Sequence, residues 1–120
     1  MTRILAVDDS PTIRMLLRAA LIERGYEIVE AEDGVAALEA LQAGTPDVVI
    51  TDINMPRLDG FGLIASIRQE ARHSSLPILV LTTESSPEKR SKAREAGATG
   101  WIVKPFNPDK LDAAIRRVTA

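Results

Sequence analysis

The sequence predicts a doubly wound α/β domain, a five-stranded parallel sheet with helices on both faces, and three observations carry that prediction. Short β-rich apolar runs recur five times along the chain. Between them lie segments whose apolar residues repeat at helical spacing. Polar residues followed by proline or glycine mark where those segments begin, so the order reads strand-helix five times over. Parallel strands covered on both sides read as nearly continuous apolar runs rather than as alternating ones.

The first strand is read at Ile4 to Val7, and Ser10-Pro11 then starts a helix carrying Ile13, Leu16, Leu17, Ala20 and Leu21 on one face. Proline fits the first helical turn because the N–H it lacks has no partner there. Gly25 closes that helix with a left-handed residue, and the second strand follows at Tyr26 to Ala31. Asp33-Gly34 turns the chain into the second helix; Val48 to Thr51 is the third strand, and Asp59-Gly60 turns into the third helix. The fourth strand is Ile78 to Leu81, after which Ser86-Pro87 starts a fourth helix that ends at Gly97. That helix, Pro87 to Ala96, is densely charged, and its apolar face is little more than Ala93 and Ala96. It is the most weakly anchored of the five. Trp101 to Val103 forms the last strand, and Asn107-Pro108 starts a final helix with Leu111, Ala114, Ile115 and Val118 inward.

A length of 120 residues corresponds to one domain, residues 1–120, with no output domain expected beside it. No cysteine is present, which excludes thiol catalysis, Cys-based zinc or iron-sulfur sites and a disulfide scaffold, and agrees with a cytoplasmic location. Fifteen basic residues against seventeen acidic ones leave a net charge of −2, so no global field recruits nucleic acid or an anionic membrane. Apolar stretches are far too short to span a bilayer, and the N-terminus has no signal-peptide pattern.

In an open parallel sheet, ligands bind beyond the carboxyl ends of the strands. Asp8 and Asp9 follow the first strand, Asp52 the third, Thr82 and Thr83 the fourth, and Lys104-Pro105 the fifth. Carboxylates, hydroxyls and one ammonium therefore collect at a single edge. Two unit charges about 5 Å apart repel by roughly 3 kcal/mol at an effective dielectric near 20, so such a cluster needs a cation. An all-oxygen donor set favours Mg²⁺, with Mn²⁺ as the closest substitute. Asp52 then reads as a carboxylate nucleophile in phosphoryl transfer, with the metal and Lys104 neutralising charge and the Thr82 hydroxyl bonding a phosphoryl oxygen.

Asp8-Asp9-Ser10, Thr51-Asp52-Ile53-Asn54-Met55-Pro56 with Asp59-Gly60, Thr82, and Gly97-Ala98-Thr99-Gly100 leading to Lys104-Pro105-Phe106 resemble the receiver domain of bacterial two-component response regulators. The resemblance covers essentially the whole chain and is strongest to stand-alone, CheY-like chemotaxis regulators. It implies a flavodoxin-like strand order of 2-1-3-4-5. It further implies Asp52 as phosphoacceptor, Mg²⁺ held by Asp8, Asp9, Asp52 and the Asn54 backbone carbonyl, and a cis Lys104-Pro105 bond. Thr82 and Trp101 occupy the switch positions that reshape the face built from the fourth helix, fifth strand and fifth helix. Implied partners are a histidine kinase as phosphodonor, a flagellar motor switch protein or other output protein, and a phosphatase. Asn54 and Glu84 match the chemotaxis regulators at positions flanking the phosphoryl group and point to a short phosphate lifetime. Trp101 departs from the usual Tyr or Phe, and Thr83 stands where a small residue is common and narrows access to Asp52.

Two rivals keep part of this chemistry. A phosphate sink or phosphorelay intermediate would use Asp52 in the same way but send no signal through a partner face. An aspartate-nucleophile phosphohydrolase would need an acid where Asn54 stands, so the chain reads as an acceptor rather than an enzyme. Other residues read structurally: Met55-Pro56 shapes its loop, Met15 lies in the core or on the helix surface, the charges of the fourth helix form a solvated face, and His73, in a polar stretch, is exposed.

Overall fold

The computed structural model describes all 120 residues. Five strands, β1 (Arg3–Val7), β2 (Glu27–Ala31), β3 (Val48–Thr51), β4 (Ile78–Thr82) and β5 (Gly100–Val103), alternate with α1 (Pro11–Ile22), α2 (Gly34–Ala43), α3 (Gly60–Gln69), α4 (Pro87–Ala96) and α5 (Pro108–Thr119). All pairings are parallel and the order is β2-β1-β3-β4-β5, as the resemblance implied.

Alternation along the strands divides the interior into two layers. Leu5, Val7, Val49, Ile78 and Val80 face α2, α3 and α4 through Ala37, Leu41, Leu63, Ile64, Ile67 and Ala93. Ile4, Ala6, Val48, Ile50, Leu79 and Leu81 face α1 and α5 through Leu17, Leu21, Leu111 and Ile115. The central strands β1, β3 and β4 are buried almost throughout, in line with their unbroken apolar runs. The edge strands differ: Glu27 and Val29 of β2 and Val103 of β5 are exposed, because only one neighbour and one well-covered face protect them.

Each of the five predicted helix starts carries a side-chain cap. Ser10, Asp33, Asp59 and Ser86 accept from the backbone N–H three residues on, and Asn107 accepts from those of Asp109 and Lys110. Gly97 ends α4 in the left-handed region at φ 118°, and Gly25 follows α1 at φ 88°. Ala93 is the only buried residue of α4 and only the partly buried Ala96 joins it against the core, so the apolar anchor of this helix is small. Ser86→Ala is expected to cost about 1 kcal/mol or less, and to speed amide hydrogen exchange in α4 before any other element.

Three expectations need correction. His73 is not exposed: a 3₁₀ turn, Ala71–His73, folds it inward to 2% exposure, where its Nε2 lies 3.3 Å from Thr45 Oγ1. Leu16 is 52% exposed, because α1 buries the Leu17 and Leu21 stripe and leaves its neighbour outside. Tyr26 lies outside β2; its phenol donates instead to Asp112 of α5. Met15 is on the helix surface.

Candidate functional site

Parallel register determines which polar residues meet. Val7 of β1 pairs with Thr51 of β3, and Thr82 of β4 with Val103 of β5. The ladder continues one residue further: Asp52 N–H donates to Val7 O at 3.0 Å, Asp8 N–H to Ala31 O at 3.1 Å, and Lys104 N–H to Thr82 O at 2.8 Å. Asp8 and Asp52 thus leave the two central strands side by side, and Lys104 reaches them from the edge strand.

The Lys104 ammonium bridges both acids, donating to Asp8 Oδ2 at 2.8 Å and Asp52 Oδ2 at 2.9 Å. Burial by itself draws this ammonium down, but its bonds to Asp8 and Asp52 outweigh that and hold it above the ordinary lysine value. It stays charged. The other carboxylate oxygens are fixed by backbone N–H groups, Asp8 Oδ1 by Ser10 at 2.9 Å and Asp52 Oδ1 by Ile53 at 2.6 Å. Asp9 is exposed beside them, and one carboxylate oxygen from each of Asp8, Asp9 and Asp52 lies within 4.8 Å of the others. These are hard donors without nitrogen or sulfur, and one lysine cannot balance three carboxylates, so the set fits a small divalent cation such as Mg²⁺.

Thr82 is fully buried, and its Oγ1 accepts from Glu84 N–H at 3.3 Å while donating to nothing. Asn54, exposed two residues beyond Asp52, donates through Nδ2 to Glu84 Oε1 at 3.2 Å. Lys89 of α4 donates to the same oxygen at 3.0 Å. The Lys89 bond, then the Asn54 bond, hold the Glu84 carboxyl below its usual range. Trp101 is half-buried, and its indole N–H donates to Glu84 O at 3.2 Å. Glu84 thereby joins the Asp52 loop, Thr82, α4 and Trp101. Thr83 is exposed at the turn next to Thr82 and forms no hydrogen bond through its side chain. The Lys104-Pro105 bond is cis.

Two supports escape a reading of the sequence. Arg14 Nη1 donates to Asp8 O at 2.6 Å and steadies the β1 exit. Arg57, in the left-handed region at φ 64°, grips Asp33 with Nε and Nη2 at 2.6 and 3.0 Å and ties the Asp52 loop to the start of α2. Arg57 and Asp33 lie 24 residues apart, and Arg14 meets a backbone carbonyl six residues back across a strand-to-helix turn, so no helical or strand spacing flags either contact. Arg57 holds the Asp33 carboxyl below its usual range, so the pair stabilises the fold above the ordinary carboxylate pKa and loses that contribution as pH falls through the lowered one. Arg57→Ala is therefore expected to unfold at lower denaturant than the parent near neutral pH, the gap closing in strong acid.

A sheet of this order with its polar pocket at that edge is a flavodoxin-like α/β domain of the CheY type. Residues 4–116 match the response regulator receiver domain, and the chain belongs to that family. Among solved structures it is similar to the chemotaxis protein CheY4 of Vibrio cholerae, with 46% identity, a TM-score of 0.94 and 98% of each chain covered. The TrrA response regulator of Thermotoga maritima, solved with Mg²⁺ and BeF, shows 40% identity and a TM-score of 0.88 over 98% of this chain and 99% of its own. A probable transcriptional regulator, ycf27 of Porphyridium aerugineum, is 40% identical over 97% of this chain. The chain spans 47% of that relative's length. No helix is long and apolar enough to cross a membrane.

Proposed function

We propose that this receiver accepts a phosphoryl group from a histidine kinase onto Asp52, in a Mg²⁺-dependent step, and controls a partner by reshaping the face formed by α4, β5 and α5. The observation that carries the reading is the Asp52 carboxylate at the end of β3, in line with Asp8 and bridged to it by Lys104. In the transfer, an Asp52 oxygen forms a P–O bond while the P–N bond of the donor phosphohistidine breaks. The bonding pair stays on the imidazole nitrogen, which takes up a proton. Asp8, Asp9, Asp52 and the Asn54 carbonyl would hold the Mg²⁺, which when bound offsets charge on the phosphoryl oxygens. The Ile53 N–H fixes the rotamer of the attacking carboxylate, and Lys104 offers its ammonium to the incoming oxygens. Thr82 has a free hydroxyl proton for the same purpose. Asn54 has no titratable proton to protonate a leaving group, so the protein acts as an acceptor, not as a turnover phosphatase.

The output we propose is chemotactic, through a flagellar motor switch protein. Support comes from the full-length similarity to CheY4 and from the Asn54–Glu84 pair beside the acceptor. Trp101, bonded to Glu84 O and paired with Val80, two residues before Thr82 on the neighbouring strand, is the group that would respond.

Incubation with Mg²⁺ and a small phosphodonor, read by intact mass, tests the acceptor reading. The expected result is an adduct of about 80 Da, the mass of one phosphoryl group, accompanied by a change in Trp101 fluorescence and absent in Asp52→Asn. No adduct on the parent chain would refute it. Pull-down of a motor switch protein, with and without beryllofluoride, tests the output; retention equal in both states speaks for a phosphate sink or relay.

A further inference from the structure

We infer that Arg14, oriented by Glu30, is a positioning residue for the metal site and holds in place the peptide that carries Asp9; this rests on the reading of Asp8, Asp9 and Asp52 as Mg²⁺ ligands. Of the three carboxylates only that of Asp9 is not tied down. Asp8 is held by Ser10 N–H and Lys104, and Asp52 by Ile53 N–H and Lys104, whereas the Asp9 carboxylate is exposed and bonds to no other group of the chain. Its place is therefore set by the backbone that carries it.

That backbone lies just past the end of the β1 ladder. Asp8 N–H still donates to Ala31 O, but no backbone N–H takes up the Asp8 carbonyl. Arg14 does so instead, its Nη1 donating to Asp8 O at 2.6 Å. On the far side of Asp9, Ser10 N–H is tied to Asp8 Oδ1 at 2.9 Å, so the Asp8–Asp9 peptide is the one left to turn. A peptide unit is planar, and holding its oxygen fixes the plane and the direction in which Asp9 leaves it.

Glu30 keeps Arg14 aimed at that oxygen. Glu30 pairs with Ala6 and, two residues after the buried Ile28, shares the face of β2 that α1 covers. Arg14 and Arg18, one helical turn apart on α1, reach it together: Arg14 Nε donates to Oε1 at 3.2 Å and Arg18 Nε to Oε2 at 2.5 Å. With Nε engaged by Glu30, the planar guanidinium presents Nη1 to Asp8 O. The carboxylate also offsets the charge of Arg14, whose side chain is only 18% exposed. This matters for the sign of the effect. A bare cation beside a metal site weakens metal binding through its field, so its removal would tighten binding. A positioning group does the opposite, and with the field of Arg14 offset by Glu30, positioning prevails.

The test titrates Mg²⁺ alone into the intact parent, Arg14→Ala and Glu30→Ala by calorimetry, with urea midpoints and ¹⁵N relaxation measured in metal-free buffer. Arg14→Ala is expected to weaken Mg²⁺ binding about tenfold, the lower end of what loss of an outer-shell partner costs a metal site. Glu30→Ala, which removes no group that touches Asp8 or Asp9, should shift affinity in the same direction. The order parameter of the Asp9 amide, which belongs to the held peptide, should fall in Arg14→Ala from about 0.85 toward the flexible range below about 0.6. A merely structural role would lower the urea midpoint and leave the affinity of the folded chain unchanged. Affinity tighter than the parent's or within about twofold of it in Arg14→Ala, well short of an outer-shell effect, overturns the inference, as does an Asp9 amide as rigid as the parent's. Mg²⁺ binding by the parent that neither substitution weakens defeats this inference alone, whereas no Mg²⁺ binding by the parent defeats the metal reading on which it stands.

Discussion

Lys104→Ala is expected to lower stability by about 3 kcal/mol in Mg²⁺-free buffer, because removing one member of a buried ion pair leaves its partner charged and uncompensated. Both partners are affected here, since the side chains of Asp8 and Asp52 are only 3% and 11% exposed and share the one ammonium. The lower end of the usual 3–5 kcal/mol range applies, as each carboxylate keeps a backbone N–H on its other oxygen. Mg²⁺ should restore most of the loss. A ligand at roughly 100 times its dissociation constant adds about 2.7 kcal/mol to the native state. With Lys104 gone, the metal becomes the only cation among three carboxylates, so urea midpoints should rise more on Mg²⁺ addition in the variant than in the parent. Phosphorylation should persist at a reduced rate, since Asp52 and the metal ligands remain, but the partner response should be lost. A variant as stable as the parent, with no larger response to Mg²⁺, would show that Lys104 is not the counter-ion of the cluster.

The residues behind that result were legible in the sequence for a topological reason. Parallel strands all present their carboxyl ends to one edge, so the residue after each apolar run falls in the same place whatever the strand order. Asp8, Asp52 and Lys104 needed no knowledge of which strands are neighbours. The order itself, by contrast, came from resemblance, because periodicity along one strand carries no information about the strand beside it. The same gap explains β2 and β5: their runs look apolar, yet an edge position exposes Glu27, Val29 and Val103. His73 departs from the exposed position its polar surroundings predict because a 3₁₀ turn folds it inward. The Arg57–Asp33 grip joins elements distant in sequence and the Arg14 contact closes the turn from β1 to α1 through a backbone carbonyl, and only the folded arrangement shows them. The fourth helix shows both cases. Its poverty in apolar residues is plain from the sequence, whereas the Lys89–Glu84 pair and the Lys92 contact with the Phe61 ring exist only in the folded arrangement.

Gly60→Ala is expected to damage both the fold and the acceptor, and the reason is a close approach of backbones rather than an unusual dihedral angle. Gly60 is the first residue of α3, and its N–H donates to Ile53 O at 2.8 Å, which draws the helix start onto the chain just beyond β3. A Cβ at this position would lie 2.3 Å from Asp52 O and 2.8 Å from Ile53 Cα. Both obstacles are main chain and cannot rotate away. Relief requires α3 and the Asp52 loop to part, which overpacking data place at about 1–3 kcal/mol, here toward the upper figure. The moving segment carries Asp52, the proposed acceptor, and a displacement near 1 Å at a reacting group costs roughly a hundredfold in rate. Adduct formation should therefore slow by about that factor even under conditions where the variant is fully folded. Gly62→Ala provides the control, because its Cβ would meet the tip of the Leu58 side chain, Cδ1 at 2.5 Å, which can change rotamer. That substitution also favours the helix by about 0.5–1 kcal/mol relative to glycine, so it should leave urea midpoint and adduct rate close to the parent's. Equal effects at positions 60 and 62 would assign the loss to general crowding of α3 and would remove Gly60 from the machinery that holds Asp52 in place.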